Sequence, residues 1–262
     1  MDVTQINYDL FVYFATYDII KNNILMWGSD RMKKLGLVGG MSPESTIPYY
    51  HDIVYGVQKK LGRDCFPTLT VESVNVFDVL DMCRERKYDE LTDYLANAIE
   101  NLKNSGADFA ALSANTPHIV FDRLREKSAL PLVSIIETAR DEALRLNLRK
   151  IGLLGTIFTM KGEFFKKPFT ESGIEVVVPT EAEMELVNSR ILNELERGII
   201  NDETREEFLH IINRMRDEEG IEAIVLGCTE LPLILNDKVS PVPCLDTMKI
   251  HIQTLVDMIV KD

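Results

Sequence analysis

The chain has 262 residues, and its 42 Asp and Glu against 29 Lys and Arg give a formal net charge of −13. That balance argues against a nucleic-acid or anionic-membrane partner, since phosphate contacts need clustered cations. No apolar run reaches the roughly 18 residues that span a bilayer, and the N-terminus lacks the pattern of a secretory leader, so a soluble, cytoplasmic protein is expected.

Residues 1 to 31 are rich in Tyr, Phe and Ile, and Met32-Lys-Lys-Leu-Gly reads like an ordinary start. The segment is read as an N-terminal extension that covers a surface or an oligomer interface; an upstream, non-native start is equally open. Leu35 to Val38 is the first predicted strand. Gly39-Gly-Met-Ser-Pro-Glu44 then leads into a helix, with Ser42 capping and Pro43 in its first turn. Glycines at a strand's carboxyl end let the backbone approach a ligand, and free amides at a helix start favour an anion such as a carboxylate. Neither a dinucleotide fingerprint nor a phosphate loop is present.

Ile47, Tyr50, Val54, Val57 and Leu61 have helical spacing, and Thr68 to Val74 reads as the second strand. Leu91 to Leu102 is predicted as an amphipathic helix and Phe109 to Ser113 as the third strand. In the loop that follows, Asn115 and Thr116 are suitable amide and hydroxyl donors, with simple capping a nearly equal alternative. His118 is expected to pack or cap. A short strand, Leu132 to Ile135, and a helix to about residue 147 lead to a strand over Ile151 to Leu154. Thr156 and Thr159 occupy the next loop, where their hydroxyls could hold a carboxylate. Lys166 and Lys167 follow within about two helical turns; Lys166 is the favoured cation for an acidic ligand, against the usual fate of lysine as a solvated residue.

A strand over Ile174 to Val178 and charged amphipathic helices over 182 to 197 and 203 to 218 come next. Ile221 to Gly227 is then a continuous apolar run, read as a buried parallel strand that delivers Cys228 to its tip. Thr229, Glu230 and Pro232 look like a helix start. A thiol between a strand tip and a helix N-terminus is stabilised as thiolate, which suits a proton-transferring or nucleophilic cysteine. Cys65, Cys83 and Cys244 form no Cys-x-x-Cys pair with each other or with Cys228, so free thiols are expected. The four scattered histidines offer no metal-ligand spacing, so no metal is expected. Asp246 is placed to cap the last helix, and His251 on that helix could face core or cleft.

The chain also repeats itself. Gly106-Ala-Asp-Phe-Ala-Ala-Leu-Ser-Ala-Asn-Thr-Pro117 lies over Gly220-Ile-Glu-Ala-Ile-Val-Leu-Gly-Cys-Thr-Glu-Leu231 at an offset of 114, which sets Ala114 on Cys228. Leu35-Gly-Leu-Val-Gly39 recurs as Ile151-Gly-Leu-Leu-Gly155, and Leu130-Pro131 as Val242-Pro243. Three phrases in one order at nearly one offset indicate a duplicated α/β unit. The domains read as 32–134 with 244–262, and 135–243, after the extension 1–31.

Leu37-Val-Gly-Gly-Met-Ser-Pro-Glu44, Ala114-Asn-Thr-Pro-His118, Leu154-Gly-Thr156 with Thr159-Met160, Gly227-Cys-Thr-Glu230, and Asp246-Thr247 with His251 together resemble the aspartate/glutamate racemase family of cofactor-independent amino-acid racemases. The resemblance implies two pseudo-symmetric flavodoxin-like α/β domains with parallel sheets and the active site in the cleft between them. It implies no cofactor, a small acidic amino acid, aspartate or glutamate, as substrate, and a homodimer. In the family's usual mechanism two cysteines work on opposite faces of the substrate; they match Cys228 and position 114, where Ala114 has no proton to exchange. Some relatives carry threonine there. The alanine is read either as natural or as a substitution that would trap a ligand. Met41, Ser42, Asn115, Thr116, Thr156, Thr159 and Thr229 are the implied substrate-binding residues, with Glu230 and His251 as tuning groups. A carboxylate at Glu230 would raise the thiol's proton affinity. Two alternatives stay open: a single-cysteine decarboxylase or cis-trans isomerase of a small dicarboxylate, and a catalytically silent amino-acid-binding protein.

Overall fold

The computed structural model describes residues 31–261, so most of the extension read over 1–31 lies outside the described residues. Strand β1 (Leu35–Gly39) is followed by helix α1 (Pro43–Leu61), β2 (Leu69–Ser73), α2 (Val76–Arg84), α3 (Tyr88–Asn104) and β3 (Phe109–Leu112). A 3₁₀ turn (Thr116–Val120) runs into α4 (Phe121–Lys127), then β4 (Leu132–Val133) and α5 (Ile135–Arg145). The second half comprises β5 (Lys150–Leu154), α6 (Ile157–Lys161), α7 (Glu163–Thr170), β6 (Glu175–Val177), α8 (Glu181–Asn193), α9 (Asp202–Arg214), β7 (Ala223–Leu226), β8 (Cys244–Asp246) and α10 (Thr247–Val260).

Two four-stranded parallel sheets result, ordered β2-β1-β3-β4 and β6-β5-β7-β8. They correspond strand for strand, and the order is that of a flavodoxin-like sheet without its fifth strand. The alternation of a pleated strand assigns each face its own core. In the first sheet, Leu35, Leu37, Phe109 and Ala111 pack against α1 and α10, while Val38, Ala110 and Leu112 pack with residues of α2 and α3. In the second, Ile151, Leu153, Ala223 and Val225 meet α5 and α7, while Leu154, Ile224 and Leu226 meet α8 and α9.

The last helix of each unit crosses to the other. Ser134 caps α5 by accepting from the amides of Ile136 and Glu137 at 3.2 and 3.3 Å, and so ends the strand that the sequence extended to Ile135. Asp246 caps α10 in the same way, accepting from the Lys249 amide at 3.0 Å. From these caps α5 runs onto the second sheet and α10 onto the first, and the two helices pack against each other. Ile252, Leu255, Val256 and Ile259 of α10 are buried on the first unit, each worth about 1.5–3 kcal/mol. The chain therefore returns to the first unit at Thr247, not at residue 244, because Cys244–Asp246 pairs with β7.

Candidate active site

Strands β1, β3, β5 and β7 all end at one cleft of about 720 Å³ between the two units. From the first unit it is lined by Gly40, Met41, Ser42, Glu44, Ala114, Asn115 and Thr116, and from the second by Thr156, Cys228, Thr229 and Glu230. Carboxyl ends of parallel strands are where open sheets bind ligands, because helix starts and free amides converge there.

Gly40 lets the chain turn from β1 into α1. Its φ is +81°, and a Cβ at this position would lie 2.3 Å from the Val74 carbonyl oxygen, so only glycine fits. Ser42 stands at the cap position of α1. It reaches across the cleft and donates to Glu230 Oε1 at 3.1 Å.

Glu230 gathers the second unit's reactive groups. The Cys228 thiol donates to Glu230 Oε2 at 2.9 Å, and the Thr229 hydroxyl donates to the same oxygen at 2.9 Å. Cys228 is only 8% exposed. Burial first, then the charge of Glu230 and its hydrogen bond, and to a smaller degree Glu196, push the thiol well above its ordinary range. The helix-terminus expectation is overturned, since only a 3₁₀ turn, Leu231–Leu233, follows the cysteine. The site holds a protonated thiol hydrogen-bonded to a carboxylate.

The matching loop of the first unit is built differently. Buried His118 accepts from the Ile135 amide at Nε2, 3.3 Å, so its Nδ1–H donates to the Ala114 carbonyl at 3.0 Å. Burial lowers its pKa to about 3, which keeps the ring neutral. Asn115 donates through Nδ2 to Thr247 Oγ1 at 3.3 Å, while the Thr247 hydroxyl donates onward to the Leu226 carbonyl at 2.8 Å. That chain orients the amide and leaves Asn115 Oδ1 with no partner among the described residues; Ser113 Oγ, also buried, has none among them either.

Several expected residues fall elsewhere. Thr159 is fully buried, 3.4 Å from Thr156 Oγ1, in helix α6 where the sequence suggested a loop, and it does not line the cleft. Lys166 lies on α7 away from the cleft and pairs with Glu163 at 3.0 Å. His251 belongs to the core. Its Nε2–H donates to the Val133 carbonyl at 3.2 Å, so Nδ1 accepts from the Tyr49 hydroxyl at 2.7 Å, and burial lowers its pKa to about 3. Cleft residues that the sequence reading missed are Val74, Asn75, Val76, Phe77, Val79 and Leu80 of the β2–α2 segment, Leu192 of α8, and Glu196 and Arg197 of the 3₁₀ turn Leu195–Arg197 that follows it. The spacing of Val76, Val79, Leu80 and Cys83 after Asn75 was a legible sign of α2, and Gly198, with φ +71°, marks where the chain turns after Arg197. Among the described residues no group of His, Cys, Asp and Glu could hold a metal ion, and no helix is long and apolar enough to cross a membrane.

A duplicated parallel α/β protein with a cysteine cleft between its halves is the class that fold and site define. The Asp/Glu/hydantoin racemase family model matches residues 38–255, and the chain belongs to that family. It is similar to a broad-specificity amino-acid racemase of Bacillus subtilis, 23% identical over 81% of this chain and 92% of the relative. It is also similar to the crystal structure of an aspartate racemase homologue from Pyrococcus horikoshii, with a TM-score of 0.77 and 35% identity over 88% of this chain and all of that one. An aspartate racemase from Picrophilus torridus shares the fold, with a TM-score of 0.65, 22% identity, and coverage of 86% of this chain and 93% of that one.

Proposed function

We propose that the protein is a cofactor-independent amino-acid racemase in which Cys228 exchanges the α-proton of its substrate. The observation that carries this reading is the Cys228 thiol lining the cleft with its proton directed at Glu230 Oε2, 2.9 Å away. For Cys228 to act as a base, the thiol proton passes to the Glu230 carboxylate, and the thiolate then takes the proton from Cα. The electron pair left behind spreads into the substrate carboxylate, and hydrogen-bond donors aimed there stabilise it. Thr116 and the amides at the start of α1 line the cleft for that purpose, and Asn115, whose buried Oδ1 has no partner among the described residues, lines the same cleft to accept from the α-ammonium. Return of the proton from Cys228 restores the starting enantiomer. Inversion requires a proton from the face of Ala114, whose methyl group has none to give, so solvent supplies it slowly.

A single-cysteine enzyme acting on a dicarboxylate suits Ala114, but its substrate would meet Glu44, Glu196 and Glu230 in the same cleft. The test is to incubate the purified chain with single enantiomers of a panel of amino acids in heavy water, following Hα loss by proton NMR and chirality by chromatography. Exchange that depends on Cys228 is expected. Absence of exchange with every amino acid would refute the reading.

A further inference from the structure

The Glu230 carboxylate accepts three hydrogen bonds, and they come from both sides of the cleft. Oε2 takes the Cys228 thiol and the Thr229 hydroxyl, each at 2.9 Å and each from the carboxylate's own loop. Among the described residues Oε1 takes one side-chain donor, the Ser42 hydroxyl of the first unit, at 3.1 Å. The last torsion of a glutamate is broad, so donors on one oxygen leave the carboxylate plane free to rock. A fixed donor on the other oxygen ends that freedom.

Ser42 is itself held in place. Its carbonyl accepts from the Thr46 amide at 3.1 Å, from the Thr46 hydroxyl at 2.8 Å and from the Ser45 hydroxyl at 3.1 Å. The Gly40 amide donates to Thr46 Oγ1 at 2.9 Å, which ties the preceding turn to the same point. The hydroxyl therefore rides on a braced first turn of α1. Glu230 is 5% exposed, and in so dry a place a hydrogen bond to a charged group is strong. Drawing the two units apart would break the Ser42 bond and spare both bonds to Oε2, which lie within one loop.

We propose that Ser42 is a positioning residue for the proton transfer: from across the cleft it holds Glu230 Oε1 and so aims Oε2 at the Cys228 thiol. The proton acceptor is then complete only when the two units stand close enough for that bond. The inference rests on reading the cleft as an amino-acid racemase site. It gives the Ser42 side chain a role other than the substrate binding that the resemblance implies, and leaves the substrate's carboxylate to the amides of the same helix start.

The probes are single enantiomers of alanine, aspartate, glutamate and lysine in heavy water, and the one that the parent exchanges fastest is carried through the variants. Ser42→Ala should lower kcat for α-deuterium exchange about tenfold, the size of one hydrogen bond to a charged group, and move KM by less than about twofold. Ser42→Gly weakens the helix cap little and should match it, which separates the lost hydroxyl from a lost cap. Ser42→Thr keeps a donor and should hold kcat within about threefold of the parent. In a Glu230→Gln background no carboxylate remains to be aimed, so adding Ser42→Ala should change kcat by less than about twofold. A rise in KM that outweighs the fall in kcat makes Ser42 a substrate ligand and overturns the inference. So do an unchanged kcat in Ser42→Gly, a full tenfold loss that persists beside Glu230→Gln, and a Ser42→Thr variant as slow as Ser42→Ala. Each of these leaves the racemase reading intact. No exchange by the parent with any amino acid overturns both.

Discussion

The loops after β3 and β7 occupy the same place in their two units, yet their chemistry has parted. Around 228 the thiol, the Thr229 hydroxyl and the Glu230 carboxylate are bonded to one another and to Ser42 from across the cleft. Around 114 an alanine is flanked in the chain by two residues whose buried oxygens, Ser113 Oγ and Asn115 Oδ1, have no partner among the described residues. Unpartnered buried polar atoms are costly unless a ligand or water completes them. Duplication kept the backbone geometry, with β7 and β3 at the same position in their sheets; in the proposed mechanism the 228 loop handles the proton and the 114 loop holds the substrate.

Removing the active loop's thiol should have the largest effect. Cys228→Ala is expected to cut α-proton exchange by about 10⁴-fold or more, since thiol and carboxylate act as a unit. Cys65→Ala, Cys83→Ala and Cys244→Ala should leave exchange within a few-fold of the parent, because none lines the cleft. Loss of exchange in one of these three with the fold retained, judged by circular dichroism, would move the chemistry elsewhere.

Making the loops alike should come next. Ala114→Cys supplies a proton on the empty face and should raise inversion by about 10²- to 10⁴-fold with little change in exchange. A polarimeter trace that stays flat would mean that position 114 does not face the substrate.

Glu230→Gln separates the thiol from its acceptor charge. Exchange should fall by about 10- to 100-fold, as expected for losing the proton acceptor. The sign of the pH effect follows from the raised thiol pKa: the parent is a thiol at neutral pH, and its thiolate grows in only as pH climbs past the ordinary thiol range. Taking away the carboxylate's charge should move the thiolate absorbance titration to lower pH. A midpoint that stays put or rises would contradict the assigned cause.

On the binding loop, Asn115→Ala should raise KM by about tenfold through loss of the open acceptor, with a smaller change in kcat. Equal losses in both would instead indicate a disturbed loop. The smallest effect is reserved for Lys166→Ala, which should change kcat/KM for any amino acid by less than about twofold, because it removes an ion pair with exposed Glu163.

The strands, the duplication and both tip loops were legible because continuous apolar runs and repeated phrases are local signals. Cys228, Ala114, Asn115 and Ser42 were placed at the cleft by that logic. The rest depended on direction in space. Lys166 has the charge and the distance along the chain that an acidic ligand would need, but Phe165 and Phe169 bury α7 against α5 and hold it away from the cleft. Glu196 and Arg197 ended a highly charged helix and read as solvated surface, although the turn at Gly198 brings them to the cleft rim. Ser42 stands at the predicted cap, but a cap motif cannot reveal its second partner, Glu230, 188 residues away. The same holds for Cys228, whose environment is set by burial and Glu230 and not by a helix that proved to be one short turn.

In the proposed mechanism proton transfer is one-sided, and the ratio of α-deuterium incorporation to inversion reports this. One enantiomer of a good substrate is incubated in heavy water with the unaltered chain, and incorporation and optical purity are followed in the same sample. The enantiomer whose proton faces Cys228 should incorporate deuterium with retention about 10²- to 10⁴-fold faster than it inverts. Incorporation and inversion at equal rates for both enantiomers would rule out one-sided transfer, because a second proton carrier would then be working on the Ala114 face.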